Sequence, residues 1–575
     1  MKITRHAQPA VVPAALLALA LIIYLPWIRN DFVYDDVPEI VEWPLVHSPA
    51  NIGRFFTTAD VGLYRPLKYT AVSLLWAAGG GTPWPFHLAS VLAHAAAAGM
   101  VFIVFRRLEF SIGYAAFGAA LFLVHPVQTE SVYWISALSA PLSAIFFFAA
   151  LSTALNIAVL PPNQPAGRRL ALMSACLATA LLIRESAIVF PAFLILYLLA
   201  PLRPLNHPSP RRRLVLATGL STAVVLLYWL VRTRIMAQQP HRFDYFTGSL
   251  LNTLMTVPWL VTRYIVQFAL PLKLSVYHWP AVVTSPLQEL FILPVLWLTV
   301  LGAAAWRWRR AHPQVLFFSG CFAVGLVPVL NIVPINSIYA ERYLYLPMFG
   351  LCGLAAWGAA RVNAAAARTG RAEHLRALRL GGVGLLLVLS AISAVRGRVW
   401  RNNVTLFTDA AEKTPPGAII PRFNLAKALA DAGRGEEAAD VYRDILTIAP
   451  NHLPSHLNLS GLLIRAGQLD AAEQVLLHAQ AVAPAHSFVL NGLGTIWFHR
   501  GDDARALEFF RAASEASPPN PQAFFNAGMA CKRLGDISGA LRWFEKAIDL
   551  APDYAAARRE LTHLRQSPRV APSSP

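Results

Sequence analysis

The residues able to do chemistry are few, and most of them border apolar runs. The first are Asp35 and Asp36, in Asn30-Asp31-Phe32-Val33-Tyr34-Asp35-Asp36, directly after the apolar run 11–28. An adjacent carboxylate pair beside a membrane span is costly to hold near lipid, which makes it a candidate functional site. The pair could supply a general base or hold a divalent metal; a solvated loop kept outside the membrane is the plainer reading. Arg65 follows, in Tyr64-Arg65-Pro66-Leu67-Lys68. His87 and His94 are seven apart, on one helix face. They lack a third ligand at a metal spacing, so packing or capping accounts for them better than metal binding. His125-Pro126-Val127-Gln128-Thr129-Glu130 ends an apolar run and opens a helix, where Glu130 offsets the helix dipole or positions an acceptor hydroxyl. Arg184-Glu185 and Glu341-Arg342-Tyr343 each set a guanidinium at the edge of an apolar run. Such arginines suit an anionic headgroup, because guanidinium meets phosphate in a bidentate fork; the alternative is that Arg184–Glu185 and Glu341–Arg342 are structural ion pairs.

Elements that could position these groups are membrane helices. Of 575 residues, 56% are hydrophobic and 14% charged, and mean hydropathy is +0.47; soluble domains carry about 25% charged residues. The net charge of +18 is uneven: residues 401–575 hold 18 basic and 18 acidic residues, and the first 400 hold 31 and 13. Excess base confined to the apolar part fits loops that set topology and argues against a nucleic-acid-binding domain. Cys176, Cys321, Cys352 and Cys531 form no CxxC and read as packing residues. Met1 to Arg5 is basic and then apolar, but the run is long and the residues directly before Trp27, Tyr24-Leu25-Pro26, are not a small-x-small site, which predicts an uncleaved first span.

Apolar runs recur from 11–28 to 380–395, separated by basic clusters that begin at Lys2/Arg5, include Arg203, and end with Arg361 through Arg379. All clusters fall on one side if the run 254–272, broken by Pro258 and Arg263, is interfacial or re-entrant. That leaves eleven crossings, with the tail outside beside the Asp35 loop. Eleven of the thirteen acids in the first 400 residues then map outside, Asp60 among them, and only Glu109 and Glu373 inside. This asymmetry describes an outer face that handles a polar substrate.

The tail is periodic. Pro416, Pro450, Pro484, Pro518 and Pro552 lie 34 residues apart, as do Gly433, Gly467, Gly501 and Gly535, a tetratricopeptide pattern. Four repeats are expected over 417–552, followed by a capping stretch to Leu564 and a disordered tail at 565–575. Stacked repeats form a concave peptide-binding face, and Asn424, Asn458 and Asn526, which recur at one position, are candidates to line it or to serve helix packing.

Taken in order, these motifs resemble the transmembrane-and-tetratricopeptide-repeat O-mannosyltransferases, within the GT-C glycosyltransferase class. The similarity rests on Phe32-Val33-Tyr34-Asp35-Asp36, Tyr64-Arg65-Pro66-Leu67, Phe86-His87-Leu88 with His94, the His125–Glu130 motif, Arg184-Glu185, the stretch from Glu341 to Pro347, Trp400-Arg401-Asn402, and the repeats. It departs at Gln128, where the family tends to have His, and at Leu138-Ser139-Ala140-Pro141, where a Gly-Arg-Ala-Asp-like run is usual; Arg184 stands where Lys is common. The resemblance implies inverting transfer of a mannose-like sugar from a polyprenyl-phosphate donor to a protein Ser/Thr hydroxyl on the non-cytoplasmic face. The expected base would be Asp35 or Asp36, with Glu130 beside it. Arg65, Arg184 and Arg342 would contact the donor phosphate, and His87, His125, Glu185, Glu341 and Tyr343 would support them. No Gly-rich phosphate loop is present, in keeping with a lipid-linked donor.

The expected fold is all-α: a polytopic GT-C-type bundle of about eleven spans over 1–400 with an outer loop 29–84, a connector 401–416, and a repeat solenoid over 417–564. The expected partners are a polyprenyl-phosphate sugar, an exported protein held by the repeats, and membrane lipid. A bacterial-type inner membrane, with site and repeats on the periplasmic side, is the expected location. Two rival readings stand beside this one: a non-catalytic membrane-anchored scaffold for envelope proteins, and a transferase acting on a lipid or glycan.

Overall fold

Long apolar runs in a chain with little charge leave the backbone one low-cost solution in lipid, the helix, whose N–H and C=O groups are satisfied internally. The computed structural model describes residues 11–59, 62–161, 164–200, 202, 208–237, 244–335, 337–368 and 372–566, and every regular element there is helical. Lys2, Arg5, Asp60, Arg203 and residues 567–575 of the expected tail lie outside the described residues. The chain divides into two compact units, Met1–Asp409 and Ala410–Pro575.

In the first unit, five helices among the described residues are long and apolar enough to cross a membrane: Trp84–Arg107, Ile135–Ala158, Pro210–Met236, Glu289–Trp308 and Leu375–Arg396. Helices Ile112–Val124 and Pro126–Tyr133 make a sixth if their 48° bend is counted within one span. The eleven crossings expected from hydropathy are not shown. Several apolar runs form shorter helices, such as Val11–Trp27, Glu185–Leu199 and Pro313–Val329, where 3₁₀ turns or prolines interrupt the ladder. The run expected to be interfacial is a helix over Leu250–Ala269, with Pro258 inside it and Thr253, Thr256, Leu260, Tyr264 and Gln267 buried along one face. Trp84–Arg107 and Ile135–Ala158 are the packed centre, 67% and 78% buried, while Glu289–Trp308 and Leu375–Arg396 are each 11% buried and bear exposed leucines and valines. Apolar surface of that extent fits a lipid-facing rim.

The loop after the first helix is folded, not extended. Ile40, Val46, Phe55, Tyr69, Val72, Phe86 and Ile135 form one apolar cluster that seats it on the bundle. His47 stacks on Trp76 at 3.9 Å and bonds the Ile40 carbonyl at 2.8 Å. Further along, helix Pro66–Gly79 begins at a proline, whose missing N–H costs nothing in a first turn.

The second unit is a run of antiparallel helix pairs: Ile419–Asp431 with Gly435–Ile448, Leu453–Arg465 with Leu469–Val482, Ser487–His499 with Asp503–Glu515, and Pro521–Arg533 with Ile537–Leu550, followed by Ala555–Gln566. Gly433, Gly467, Gly501 and Gly535 end the first helix of each pair at φ of +74° to +85°, the left-handed region that only glycine enters at low cost. Small residues let the paired helices approach: a Cβ on Gly528 would lie 2.5 Å from the buried Phe544 ring. Gly528→Val is therefore expected to destabilise this unit by about 1–3 kcal/mol through overpacking, read as a lower thermal midpoint by circular dichroism; an unchanged midpoint would show that Phe544 moves freely.

Candidate functional site

The two carboxylates of the acidic pair sit in different surroundings. Asp36 is fully buried, and each of its oxygens accepts a backbone N–H: Oδ2 from Val33 at 3.1 Å and Oδ1 from Ser136 at 2.7 Å. It thereby fastens the loop to the turn Ile135–Leu138. Burial raises its carboxyl to about 7 against the pull of these hydrogen bonds. Asp35 is half-buried, and its carboxylate has no hydrogen bond or ion pair among the described residues. Burial first, then Glu39, lifts Asp35 to about 6, while Arg342 and Lys68 oppose the rise. Ahead of the pair, Tyr34 has φ +54°, an uncommon state for a bulky residue. It is held there by its own N–H donating to Asn403 Oδ1 at 2.8 Å and by its ring lying 5.6 Å from Trp134 and 5.7 Å from Phe407. Strain of this kind persists only where the surroundings over-determine it. Two more ties come from the same C-terminal stretch: Asn30 Nδ2 donates to the Gly397 carbonyl, and Asp31 N–H to the Arg401 carbonyl. His87, expected to support the site, bonds the Asn30 carbonyl at 3.1 Å.

The arginines exchange the partners expected from sequence adjacency. Arg65 forks onto Glu185, with Nε to Oε2 at 2.9 Å and Nη2 to Oε1 at 2.6 Å. Glu130, buried, accepts the Arg342 backbone N–H at 2.7 Å and pairs with its guanidinium. Lys68, also buried, pairs with Glu39. The chain neighbours Arg184–Glu185 and Glu341–Arg342 are thus not the ion pairs; contacts 120 and 212 residues apart are. This leaves Arg184. It is 8% exposed and donates to Ser139 Oγ at 3.3 Å, with no carboxylate partner among the described residues. Burial, with Arg65 nearby, lowers it to about 10, so it remains charged at neutral pH. Arg184, Ser186, Arg342 and Tyr343 line one cleft whose remaining wall is mostly apolar, including Phe147 and Leu346, with Ser143 and Tyr345.

Glu341 holds the segment after helix Leu250–Ala269, accepting from Ser275 N–H at 2.6 Å and lying 3.1 Å from His278 Nε2. Tyr343 donates to the Ser337 carbonyl, and His125 contacts the Phe268 carbonyl at 2.9 Å and stacks on that ring. The acids and arginines Asp35, Asp36, Glu130, Arg184 and Arg342 therefore share one neighbourhood, whereas His87 and His125 bond backbone around it and Glu341 holds Ser275 N–H and His278. Lys68, Trp134, Ser139 and Asn403 belong to the same neighbourhood. Sequence reasoning assigned them no role, since none is a charged residue at an apolar edge in the way Arg184 is.

For a divalent metal, the residues do not fit. Among the described residues no three His, Cys, Asp or Glu side chains are grouped closely enough to hold one, and both Asp36 oxygens already accept N–H groups. In the repeats, Asn458 donates to Tyr442 Oη and Asn526 to Asn491 Oδ1, both within the solenoid, while Asn424 is half-buried.

Comparison with known proteins finds likeness in the repeats and, more distantly, along much of the chain. Tetratricopeptide repeat models match residues 391–452, 429–489 and 521–554. The chain is 22% identical over 484 residues to protein O-mannosyl-transferase TMTC3 of Mus musculus, covering 74% of this chain and 50% of that one. It is 24% identical over 470 residues to protein O-mannosyl-transferase F38B6.6 of Caenorhabditis elegans, covering 76% and 62%. Over 126 residues, 20% of this chain and 15% of the other, it is 40% identical to protein O-mannosyl-transferase Tmtc1 of Drosophila melanogaster. The chain spans between 15% and 62% of the length of such curated relatives. Among solved structures, a thermophilic TPR protein of Thermus thermophilus matches 32% of this chain and 96% of its own at 20% identity, with a TM-score of 0.26. The chain is distantly homologous to protein O-mannosyl-transferases.

Proposed function

We propose that the protein is a multi-pass membrane glycosyltransferase that moves a mannose-like sugar from a polyprenyl-phosphate donor to a Ser or Thr hydroxyl of an exported protein. The observation that carries this reading is the Asp35 carboxylate, unpaired among the described residues, in one neighbourhood with two guanidinia, the half-buried Arg342 and the buried Arg184, which has no carboxylate partner among the described residues. A base and a cationic cleft are what a single displacement at a phosphate-linked sugar requires. Asp35 takes the acceptor proton as the hydroxyl oxygen attacks the anomeric carbon. The bond from that carbon to the phosphate oxygen breaks with inversion, and the polyprenyl phosphate leaves with the electron pair, its charge held by Arg184 and Arg342. Glu130 keeps Arg342 oriented. Asp36 and Arg65 act as clamps, the first on Ser136 and the second on Glu185. The repeats hold the acceptor, on the same periplasmic face as the site, after eleven crossings of an inner membrane.

The test is a transfer assay with the full-length protein, labelled polyprenyl-phosphate hexoses and a pool of envelope proteins. Label on protein is expected; label on lipid or glycan alone would assign a different acceptor, and none with any donor would leave a scaffold. The pH profile is a second check. Asp35 acts only when ionised, and its carboxyl stands at about 6. Transfer under kcat/KM conditions is therefore expected to rise about tenfold per pH unit below 6 and to level off above it. A limb near 4, the ordinary carboxylate range, would remove Asp35 from the role.

A further inference from the structure

If Asp35 is the base and Arg342 a phosphate contact, the sugar must lie between them, and one aromatic side chain packs against Tyr34, the neighbour of Asp35, and against Arg342. The Trp134 ring is 5.6 Å from the ring of Tyr34, the neighbour of Asp35, and the Arg342 guanidinium lies 4.8 Å over it. Trp134 is 4% exposed, yet its indole N–H, a donor only, has no hydrogen-bond partner among the described residues. Buried donors are nearly always satisfied, so an orphan here is informative. A second orphan lies nearby: Tyr69 is 3% exposed, its hydroxyl is likewise unpartnered among the described residues, and it packs in the same apolar cluster as Ile135, the residue after Trp134. Lys68, paired with Glu39, lies 4.8 Å over the Tyr69 ring. The Lys68–Glu39 pair against its ring joins Tyr69 to the same charged neighbourhood.

The geometry points to Trp134 and Tyr69 as specificity-determining residues that donate hydrogen bonds to the hydroxyl oxygens of the transferred pyranose. This assignment rests on the glycosyltransferase reading and deepens it. Two donors fixed by packing, one under a cation that strengthens its N–H, suit a polyhydroxylated ring whose oxygens accept. An apolar moiety in that gap would leave both donors unsatisfied. A site built to bond a hydroxyl rejects an analogue lacking it far better than an apolar pocket rejects an added group.

The test uses the full-length protein with two probes, polyprenyl-phosphate mannose and bare polyprenyl phosphate. The variants are Trp134→Phe and Tyr69→Phe, which remove the donors and keep an aromatic ring. Each is expected to weaken binding of the sugar-bearing lipid by about tenfold, the loss of one hydrogen bond, with the Kd for bare polyprenyl phosphate unchanged. Thermal midpoints without lipid are expected to match or exceed wild type, because an unpaired buried donor has been removed. Were Trp134→Phe to loosen packing, Tyr69→Phe still reads the effect, since it deletes a single hydroxyl. Variants that keep the wild-type ratio of the two Kd values overturn the proposal, as does a wild type that binds both lipids equally. A wild type that binds neither lipid overturns the glycosyltransferase reading as well, so the two failures are distinct.

Discussion

Asp35→Asn is expected to lower sugar transfer by about 10²–10⁴-fold, the usual contribution of a positioned general base, and to leave the thermal midpoint near wild type. The Asp35 carboxylate accepts no hydrogen bond among the described residues, so the amide loses no bond that holds the fold. The paired substitution has the opposite signature. Asp36→Asn puts an NH₂ where a carboxylate oxygen accepts from Val33 or Ser136, which sets donor against donor in a fully buried place. Leaving one such N–H unsatisfied costs about 1–3 kcal/mol. The expected outcome is a lower midpoint, with whatever folded protein remains retaining a base. Transfer assays normalised to folded protein, run beside thermal unfolding, separate the two. Full transfer by Asp35→Asn, with loss only in Asp36→Asn, would exchange their roles and sink the assignment.

Much of the architecture is legible in sequence because it depends on period and composition. The 34-residue recurrence of Gly433, Gly467, Gly501 and Gly535 reports a backbone requirement, and the structure meets it with left-handed φ at all four. Charged residues at apolar edges likewise point to residues that the structure gathers into one neighbourhood, because holding them there is costly unless something compensates. Pairing is less legible. Glu185 stands next to Arg184 in the chain but bonds Arg65, and Arg342 turns from Glu341 to Glu130. In a short turn, adjacent side chains point in different directions, so sequence neighbours are poor candidates for a bidentate fork, and which distant group fills it is a tertiary matter. The difference between Asp35 and Asp36 is hidden for the same reason: the Ser136 N–H that occupies Asp36 lies 100 residues away. Crossing number is also beyond hydropathy alone, since 3₁₀ turns such as Glu185–Val189 break apolar runs into helices too short for a clear count.

Arg184→Met should raise stability and weaken donor binding together. A buried guanidinium without a carboxylate partner among the described residues is a charge left uncompensated by the protein, and replacing it by an apolar side chain of similar length removes that cost. A gain of about 1–3 kcal/mol, seen as a higher thermal midpoint without lipid, is the expected result. Glu185 does not offset this gain, because its two oxygens remain on Arg65. In contrast, affinity for bare polyprenyl phosphate should fall about 30- to 100-fold, the worth of charge-assisted hydrogen bonds to a phosphate, and transfer should fall at least as far, because the leaving group loses a stabilising cation. Arg184→Lys, which restores the charge without the fork, should recover part of the binding. A structural arginine would behave otherwise: its removal would lower the midpoint and leave lipid affinity untouched. Stability and binding moving in opposite directions in one variant would show that the cation is held there, against its own desolvation, for an anion that arrives from outside the chain.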